Sequence, residues 1–515
     1  MKADSNQQTA ITLGTGPALI SAGPGSGKTF VLIRRIRYLI THIGIPPGEI
    51  LVLTFSKAAA EEMKHRFRAL MREESYKSDI NQIYFGTFHA LFYRILVSFN
   101  TNRKYTILSE KEEIKLMKAA LEKCKCRLTN TEFASELLGE LSSFKAKDYP
   151  LHKYTSKHMD SGTFRRIVSE YERSKEKSDY LDFDDILTKT RDYLYRNPEE
   201  LKRIQKRFKY ILIDEFQDIN PIQYEVISMI ADVHRNIFAV GDDDQSIYAF
   251  RGANPVIMQE FLRDYPDCRH IVLSVNYRSG SNIVKKAGKL IKHNKNRIPK
   301  EIVSGNHFAG TVTIKHLRNE ESEYRELVHS ILKVDRSEYP DSAIMLRTNH
   351  IPAAMLLALH EKSIPVFCRE NPKETFGPVN IYNVKVNNQD LNALRNMNFR
   401  DERGIRIITM HSSKGLEYLN VWITDVCEGN IPIRQAKTED EIEEERRLFY
   451  VAVTRAKKCL TIYGIGSYRV WKNLFELYSR AGCILRKQEF TLCSPAHNNK
   501  KTEQHTLSRF FREIK

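Results

Sequence analysis

No apolar run in this sequence reaches the ~20 residues a helix needs to cross a bilayer. The N-terminus, MKADSNQQTAITLG, has no apolar core of the kind a secretory leader carries. The eight cysteines are scattered. Cys124 and Cys126 form a lone C-x-C with no second pair, which argues against a zinc site. Cys459, Cys483 and Cys493 are too far apart to indicate an iron–sulfur cluster. Free thiols in a chain this long fit a reducing compartment. Internal repeats are also missing. Together these absences predict a soluble intracellular protein with no membrane partner.

The chain has 515 residues, enough for three or four units at roughly 150 residues each. Hydrophobic residues make up 41% and charged residues 28%, a globular balance. Lys and Arg number 81 against 64 Asp and Glu, leaving a formal charge of +17. A surplus this large favours polyanions, nucleic acid first among them, although solubility alone is the blander reading.

Short β-branched runs recur, each closed by a polar or glycine-rich turn. They include Ala18–Ser21, Ile50–Phe55, Tyr210–Ile213, Asn236–Val240, Ile271–Leu273, Ala343–Leu346, Ile405–Thr409, Val421–Thr424 and Leu460–Tyr463. Most are apolar without alternation, as strands buried on both faces are. Amphipathic stretches lie between them; after Thr29, Leu32, Ile33, Ile36, Leu39 and Ile40 share one helical face. Strands alternating with helices predict an α/β fold with parallel sheets. Residues from about 91 to 206 break that rhythm with helical, charged patterning. Residues 371–403 are polar and punctuated by Asn, Pro and Gly, as a connecting loop is. Residues 491–515 are polar and basic until the very end and predict a flexible tail.

The strongest motif is Ala22-Gly23-Pro24-Gly25-Ser26-Gly27-Lys28-Thr29, preceded by a strand and followed by a helix. Glycines let backbone N–H groups close around phosphate oxygens, and the helix N-terminus adds positive potential. Lys28 is expected to pair with the β- and γ-phosphates of a nucleotide, and the Thr29 hydroxyl to hold Mg²⁺. A second apolar strand, Ile211-Leu212-Ile213, ends in Asp214-Glu215. One carboxylate for the metal, Asp214, and one for the attacking water, Glu215, is the minimum that phosphoryl transfer to water needs. A third strand ends in Gly241-Asp242-Asp243-Asp244-Gln245. Three successive carboxylates near a phosphate are repulsive unless a cation offsets them. Arg278 and Arg455 are surface arginines by default, yet both suit arginine fingers supplied by a second domain.

These segments, in this order, resemble superfamily 1A DNA helicases, and within them the UvrD/Rep/PcrA group. Thr54 to Met63 (TFSKAAAEEM), Gly86 to Ala90 (GTFHA), Leu181-Asp182-Phe183, Asp214 to Asp218 (DEFQD), Gly241 to Tyr248 (GDDDQSIY), Ile408 to Tyr418 (ITMHSSKGLEY) and Glu444 to Ala456 (EERRLFYVAVTRA) carry the resemblance. It implies two RecA-like P-loop motor domains that use ATP and Mg²⁺ to move along single-stranded DNA and unwind duplex DNA 3′ to 5′. It implies that Gln7 and Tyr277 contact adenine, Gln245 senses the γ-phosphate, Arg278 and Arg455 act as fingers, and Glu417 contacts the ribose. Thr54, Phe55, His89, Tyr248, Phe250, Arg251 and His411 would line the strand-binding groove, where base–aromatic stacking contributes ~1–3 kcal/mol per base.

On this resemblance residues 1–90 and 207–275 form domain 1A, 91–206 a helical subdomain 1B, and 276–490 domain 2A. Phe30 stands where the family commonly has Arg, and Phe250 where it usually has Trp. The family's large 2B subdomain has no room between Gly280 and Arg406; residues 371–403 would be its remnant. A motor lacking 2B is expected to be constitutively active and poorly processive. The localisation that follows is cytoplasmic and nucleoid-associated, or nuclear, according to source, in DNA repair, replication or recombination.

The C-terminus reads Gln504-His505-Thr506-Leu507-Ser508-Arg509-Phe510-Phe511. This resembles the peptide by which proteins dock on sliding clamps, with Gln504 in a polar pocket and Leu507, Phe510 and Phe511 as an apolar plug. The competing reading is a terminal amphipathic turn packed on its own domain. Two rival functions also share these motifs: a translocase that strips proteins from DNA with little unwinding, and a non-catalytic clamp-bound scaffold.

Overall fold

The computed structural model describes residues 2–73, 80–99, 105–127, 129–146, 151–368, 394, 396–466 and 507–515. The chain forms two compact units. Met1–Val275 with Asn296–Lys300 make the first, and Asn276–Lys295 with Glu301–Lys515 the second.

The first unit is built on a six-stranded sheet of β1 (Ala18–Ala22), β2 (Ile50–Thr54), β3 (Tyr84–Thr87), β4 (Tyr210–Ile213), β5 (Ile237–Gly241) and β6 (Arg269–Leu273). Their spatial order is β3-β2-β4-β5-β1-β6, and every pairing is parallel. The four central strands are buried along their whole length, which is why they read as unbroken apolar runs. Alternation still sorts their side chains between two cores. Ile50 and Val52 pack with α1 (Ser5–Ile11), α2 (Lys28–Thr41) and α3 (Lys57–Glu73). Leu51 and Leu53 pack on the opposite face with α4 (Phe88–Phe99) and other helices.

Between β3 and β4 the chain is mainly helical, running through α4, α5 (Glu110–Lys123), α6 (Thr131–Ala146), α7 (Ser161–Lys177), α8 (Phe183–Arg196) and α9 (Pro198–Arg207), with one short parallel pair, Thr106–Ile107 with Tyr180–Leu181. Helices α5, α6 and α7 enclose a separate core of Met117, Leu121, Leu137, Leu141, Phe164 and Tyr171. Two further helices, α10 (Pro221–Ala231) and α11 (Ile257–Asp264), complete the first unit.

The second unit repeats the plan. Its strands are β7 (Thr311–Leu317), β8 (Ser342–Leu346), β9 (Val366–Cys368), β10 (Ile405–Thr409), β11 (Tyr418–Ile423) and β12 (Ala456–Ile465), ordered β7-β12-β11-β8-β10-β9 and all parallel. Its helices are α12 (Ser281–Ile291), α13 (Glu320–Ile331), α14 (Ala353–Glu361), α15 (Glu439–Val453) and α16 (Arg509–Ile514). The expected remnant at 371–403 lies mostly outside the described residues; of it, Leu394, Met397 and Phe399 are buried against α13, α14 and β9.

Of the expected flexible tail, residues 491–506 lie outside the described residues, while the described end, 507–515, is docked on its own domain, the competing reading of the motif. Leu507, Phe510, Phe511 and Ile514 are buried within the second unit. Phe510 stacks on Phe449 of α15 with centroids 6.0 Å apart. Gly464 makes the room: a Cβ there would lie 2.7 Å from both Leu507 and Phe511. The rim is ionic. Arg446 grips both carboxylate oxygens of Glu513 at 2.6 and 2.9 Å. Arg509 reaches Glu428 at 3.0 and 3.1 Å. An aromatic pair on a polar tail is driven out of water, and here its own domain supplies the cover. Gln504 lies outside the described residues.

Candidate nucleotide and strand-binding sites

The phosphate loop spans Ala22 to Thr29 between β1 and α2. Gly25 and Gly27 have φ of 67° and 84°, and the left-handed backbone there requires glycine. The loop is braced from within by Ser26 Oγ, which donates to the Gly23 carbonyl at 2.7 Å, and from outside by Gly23 N–H donating to the Leu273 carbonyl at 3.2 Å. Gln7, expected at the adenine, is a buried brace of this loop. Its Nε2 donates to the Ser26 carbonyl at 2.9 Å, and its Oε1 accepts from Asp4 N–H at 3.1 Å in a capping box that starts α1. Phe30 packs partly against the core, with the Arg34 guanidinium 3.6 Å from its ring centroid.

Lys28 opens α2 and lies beside the end of β4. Its Nζ is 2.8 Å from Glu215 Oε2. Burial works to lower the Lys28 pKa, but Glu215, Asp214 and Asp242 outweigh it and hold the ammonium charged. Burial and the adjacent Glu215 push the Asp214 carboxyl up to about 7. Glu215 itself sits at φ 51°, a left-handed conformation that is costly for a residue with a Cβ.

The acidic pair connects to the Gln245 loop through Gln217, a residue the motif reading passed over. Gln217 Nε2 donates to Glu215 Oε2 at 2.5 Å, and its Oε1 accepts from Asp242 N–H at 2.8 Å. Gly241 permits this approach, since a Cβ there would lie 2.6 Å from Gln217 Oε1. Gln245 Nε2 then donates to Asp242 Oδ2 at 2.5 Å. One hydrogen-bonded chain therefore runs from Lys28 through Glu215, Gln217 and Asp242 to Gln245. The cations that three carboxylates in a row require are Lys300 and Arg297, also missed in the sequence. Lys300 Nζ is 3.0 Å from Asp242, 2.8 Å from Asp244 and in contact with Asp243.

Thr29 and Asp214 are oxygen donors of the hard kind Mg²⁺ prefers, placed at the helix N-terminus and at the adjoining strand end. The donor set therefore fits a magnesium-bound triphosphate. When bound, Mg²⁺ would neutralise charge on the transferring phosphoryl group. Lys28 is the residue of this chain that carries positive charge into the loop. Glu215 is the residue that can accept a proton from water.

In the second unit, Arg278 and Arg455 converge on one turn. Arg278 Nε donates to Glu417 Oε2 at 2.7 Å, and Arg455 Nη1 donates to the neighbouring Leu416 carbonyl at 3.3 Å. Arg455 is buried at the end of α15, where its Nε also donates to the Val451 carbonyl at 2.8 Å. Glu417 forms a second ion pair with Lys457 at 2.5 Å. Burial opposes ionisation of Glu417, but Lys457 and Arg278 hold its carboxyl below the usual range. Tyr277 is half-buried beside Arg278, and His411 lies in the turn that follows β10.

Of the first-unit residues expected to contact DNA, Phe55, His89, Tyr248 and Phe250 gather at a cavity of about 700 Å³, whose lining does not include Thr54 or Arg251. Phe55, Phe88, His89, Phe183, Tyr248 and Phe250 are among its lining. Phe55 stacks on Tyr248 at 4.9 Å with an interplanar angle of 7°, and Tyr248 meets Phe250 at 6.0 Å. Phe55 and Phe250 remain 38% and 54% exposed, so both rings keep surface that a base could meet. His89 meets the Phe183 ring edge-on at 5.3 Å. Burial lowers the His89 pKa to about 4, which keeps the ring neutral. Thr54 is buried, its hydroxyl donating to the Ser56 carbonyl at 2.9 Å, and serves the turn. Arg251 ends a short 3₁₀ turn after Tyr248.

Two parallel-sheet units, one carrying a phosphate loop with an acidic pair on a neighbouring strand, define a RecA-like P-loop motor fold. The model of the UvrD/REP helicase N-terminal domain matches residues 3–266, and that of the UvrD-like helicase C-terminal domain matches 271–377 and 370–466. The chain is 33% identical to the ATP-dependent DNA helicase PcrA of Leuconostoc citreum over 67% of this chain and 47% of that protein. It is 28% identical to PcrA of Staphylococcus epidermidis over 89% of this chain and 83% of the relative. It is 28% identical to the ATP-dependent DNA helicase Rep of Buchnera aphidicola over 89% and 94%. The chain belongs to the UvrD/REP helicase family. The last two alignments run over 609 and 614 positions, more than this chain possesses, so these relatives carry inserted sequence that it lacks.

Proposed function

We propose that this protein is an ATP-dependent DNA helicase that couples hydrolysis to 3′-to-5′ movement along single-stranded DNA. The observation that carries the reading is the unbroken chain from Lys28 to Gln245. It links the group that would hold the phosphates, the base that would activate water and the glutamine that would sense the γ-phosphate. Thr29 and Asp214 would hold Mg²⁺, and Arg278 and Arg455 would act as arginine fingers, as the family resemblance implies. The strand would lie over Phe55, Tyr248 and Phe250, with the +17 charge drawing the phosphate backbone in. Direction and a place in repair, replication or recombination rest on the family resemblance. So does the expectation of a processivity lowered by the shortened 2B region.

Clamp docking through residues 504–511 is proposed only for a peptide released from its seat, because docked α16 offers no apolar side chain of the motif to a partner. The test of the main reading is ATP turnover with and without single-stranded DNA, followed by strand separation on duplexes tailed at either end. DNA-stimulated turnover with unwinding only from a 3′ tail is expected. Turnover indifferent to DNA would refute the motor, and unwinding from a 5′ tail would refute the polarity. Displacement of bound proteins without strand separation would favour the stripping translocase.

A further inference from the structure

We propose that Lys300 and Arg297 are positioning residues for ATP hydrolysis, acting through Asp242, Asp243 and Asp244 to hold Gln245 in the chain that ends on Lys28. The inference deepens the ATPase reading and rests on it.

The carboxylates of Asp242, Asp243 and Asp244 are all buried, and their oxygens lie close enough together to ligate a metal ion. The place a cation would take is filled by the Lys300 ammonium, whose side chain is fully buried and touches all three. Arg297 adds a bidentate grip on Asp244, with Nε to Oδ1 at 2.8 Å and Nη2 to Oδ2 at 2.7 Å. The Ile298 backbone N–H donates to Asp243 Oδ2 at 2.6 Å. Four consecutive residues, Arg297 to Lys300, thus bring two side-chain cations and a backbone donor to one turn.

Neutralising a buried acidic turn is a structural task, and a single lysine could do it. Two features point further. Asp242 is shared: Oδ1 faces Lys300 at 3.0 Å, while Oδ2 accepts from Gln245 at 2.5 Å. The orientation of that carboxylate, and with it Gln245, therefore depends on where the ammonium lies. The second feature is connectivity. Asn296–Lys300 belong to the first unit, whereas the chain on either side, Asn276–Lys295 and Glu301 onward, belongs to the second. The residues that set the Gln245 loop are thus joined by single peptide bonds to the unit carrying Arg278 and Arg455.

The test is ssDNA-stimulated ATPase of the full chain carrying Lys300→Met, Arg297→Gln or Arg297→Lys, alone and combined with Gln245→Ala. Melting and KM for ATP are measured in parallel. Lys300→Met and Arg297→Gln are expected to change KM by less than about threefold and to lower kcat by about 10²-fold, the loss typical of a sub-ångström to ångström misplacement. Arg297→Lys should recover part of that loss. In the Gln245→Ala background neither change should lower kcat further, because both act through Gln245. If Lys300→Met does not fold, Arg297→Gln, whose side chain keeps some solvent exposure where that of Lys300 has none, decides alone. Unchanged kcat in the folded variants, or an equal further loss without Gln245, overturns the proposal. A wild-type chain with no DNA-stimulated turnover overturns the ATPase reading first, and the two failures are therefore distinct.

Discussion

The Lys28 ammonium lies 2.8 Å from the Glu215 carboxylate, so the group meant for phosphate and the group meant for water neutralise one another. On the proposed roles, a triphosphate would draw Lys28 away from this partner and free Glu215 to accept a proton. Glu215→Gln removes the competing charge and the base together. The variant should bind ATP as tightly as wild type or more so, and its kcat should fall by about 10²–10⁴-fold. Fluorescent-nucleotide titration and phosphate release check both halves; turnover near wild type would remove Glu215 from the water-activating role. Lys28→Ala should instead lose nucleotide affinity and turnover alike.

The turn at Leu416–Glu417 holds both Arg278 and Arg455, so the two finger candidates are prepositioned as a pair. Arg278→Ala should lower kcat by about 10³-fold or more with a smaller change in KM for ATP. Glu417→Gln keeps the shape of the partner but weakens the ion pair, and its loss should be smaller. Steady-state kinetics at saturating DNA distinguishes the two, and equal losses would mean that Glu417 has a contact of its own with nucleotide.

The exposed ring surfaces of Phe55 and Phe250 predict losses in strand affinity that do not depend on salt. Phe250→Ala should weaken single-stranded DNA binding by about 1–3 kcal/mol, roughly 5- to 150-fold. The slope of affinity against salt should stay as in wild type, because no phosphate contact is lost. A reduced slope in fluorescence-anisotropy titrations would place this residue on the backbone instead.

What the sequence made legible follows from burial. The central strands β1, β2, β4 and β5 announced themselves because both faces are covered and polar residues are excluded. Within the two six-stranded sheets, the strands that escaped notice are β3, β7 and β9, all at sheet edges. Thr311–Leu317 is only partly buried and alternates polar with apolar side chains, and Val366–Cys368 has three residues. Motif residues of the phosphate loop and acidic pair were readable because their chemistry is local in sequence. Gln217, Arg297 and Lys300 were not, because their roles appear only when separate strand ends meet. The Asn-Lys-Asn-Arg-Ile-Pro-Lys run after α12 was the available signal, since three adjacent aspartates need cations from somewhere. For the C-terminal aromatics both a clamp peptide and a turn packed on its own domain stayed open, because nothing in a linear reading reveals the space above Gly464.

His89 faces the strand cavity as a neutral ring. Its pKa is lowered by burial from the usual 6.5 to about 4, so between those values the unfolded chain takes up a proton that the folded chain refuses. The contribution of His89 is complete above about pH 6.5 and is lost as pH falls toward 4. His89→Gln should therefore show a smaller drop in melting temperature between pH 7.5 and pH 5 than wild type. A His89 ring signal that titrates near 6.5 in NMR would contradict the burial argument.

The docked α16 sets the terms for any clamp interaction. Phe510 and Phe511 are completely buried, and Phe→Ala changes in such sites cost about 3–5 kcal/mol. Phe510→Ala with Phe511→Ala should thus lower the melting temperature of the full chain as well as remove the apolar plug. A clamp-binding assay on that variant alone therefore confounds two effects. Glu513→Gln separates them: it weakens the grip of Arg446, made at 2.6 and 2.9 Å, without touching Leu507, Phe510 or Phe511. If the peptide must leave its seat to engage a clamp, Glu513→Gln should tighten clamp binding severalfold, and a free peptide of residues 504–515 should bind tighter than the full chain. Surface-plasmon titrations of the three species against an immobilised sliding clamp measure this order. Should the free peptide fail to bind while the full chain binds, the contact lies elsewhere on the protein; should neither bind, α16 is a structural helix of the second unit.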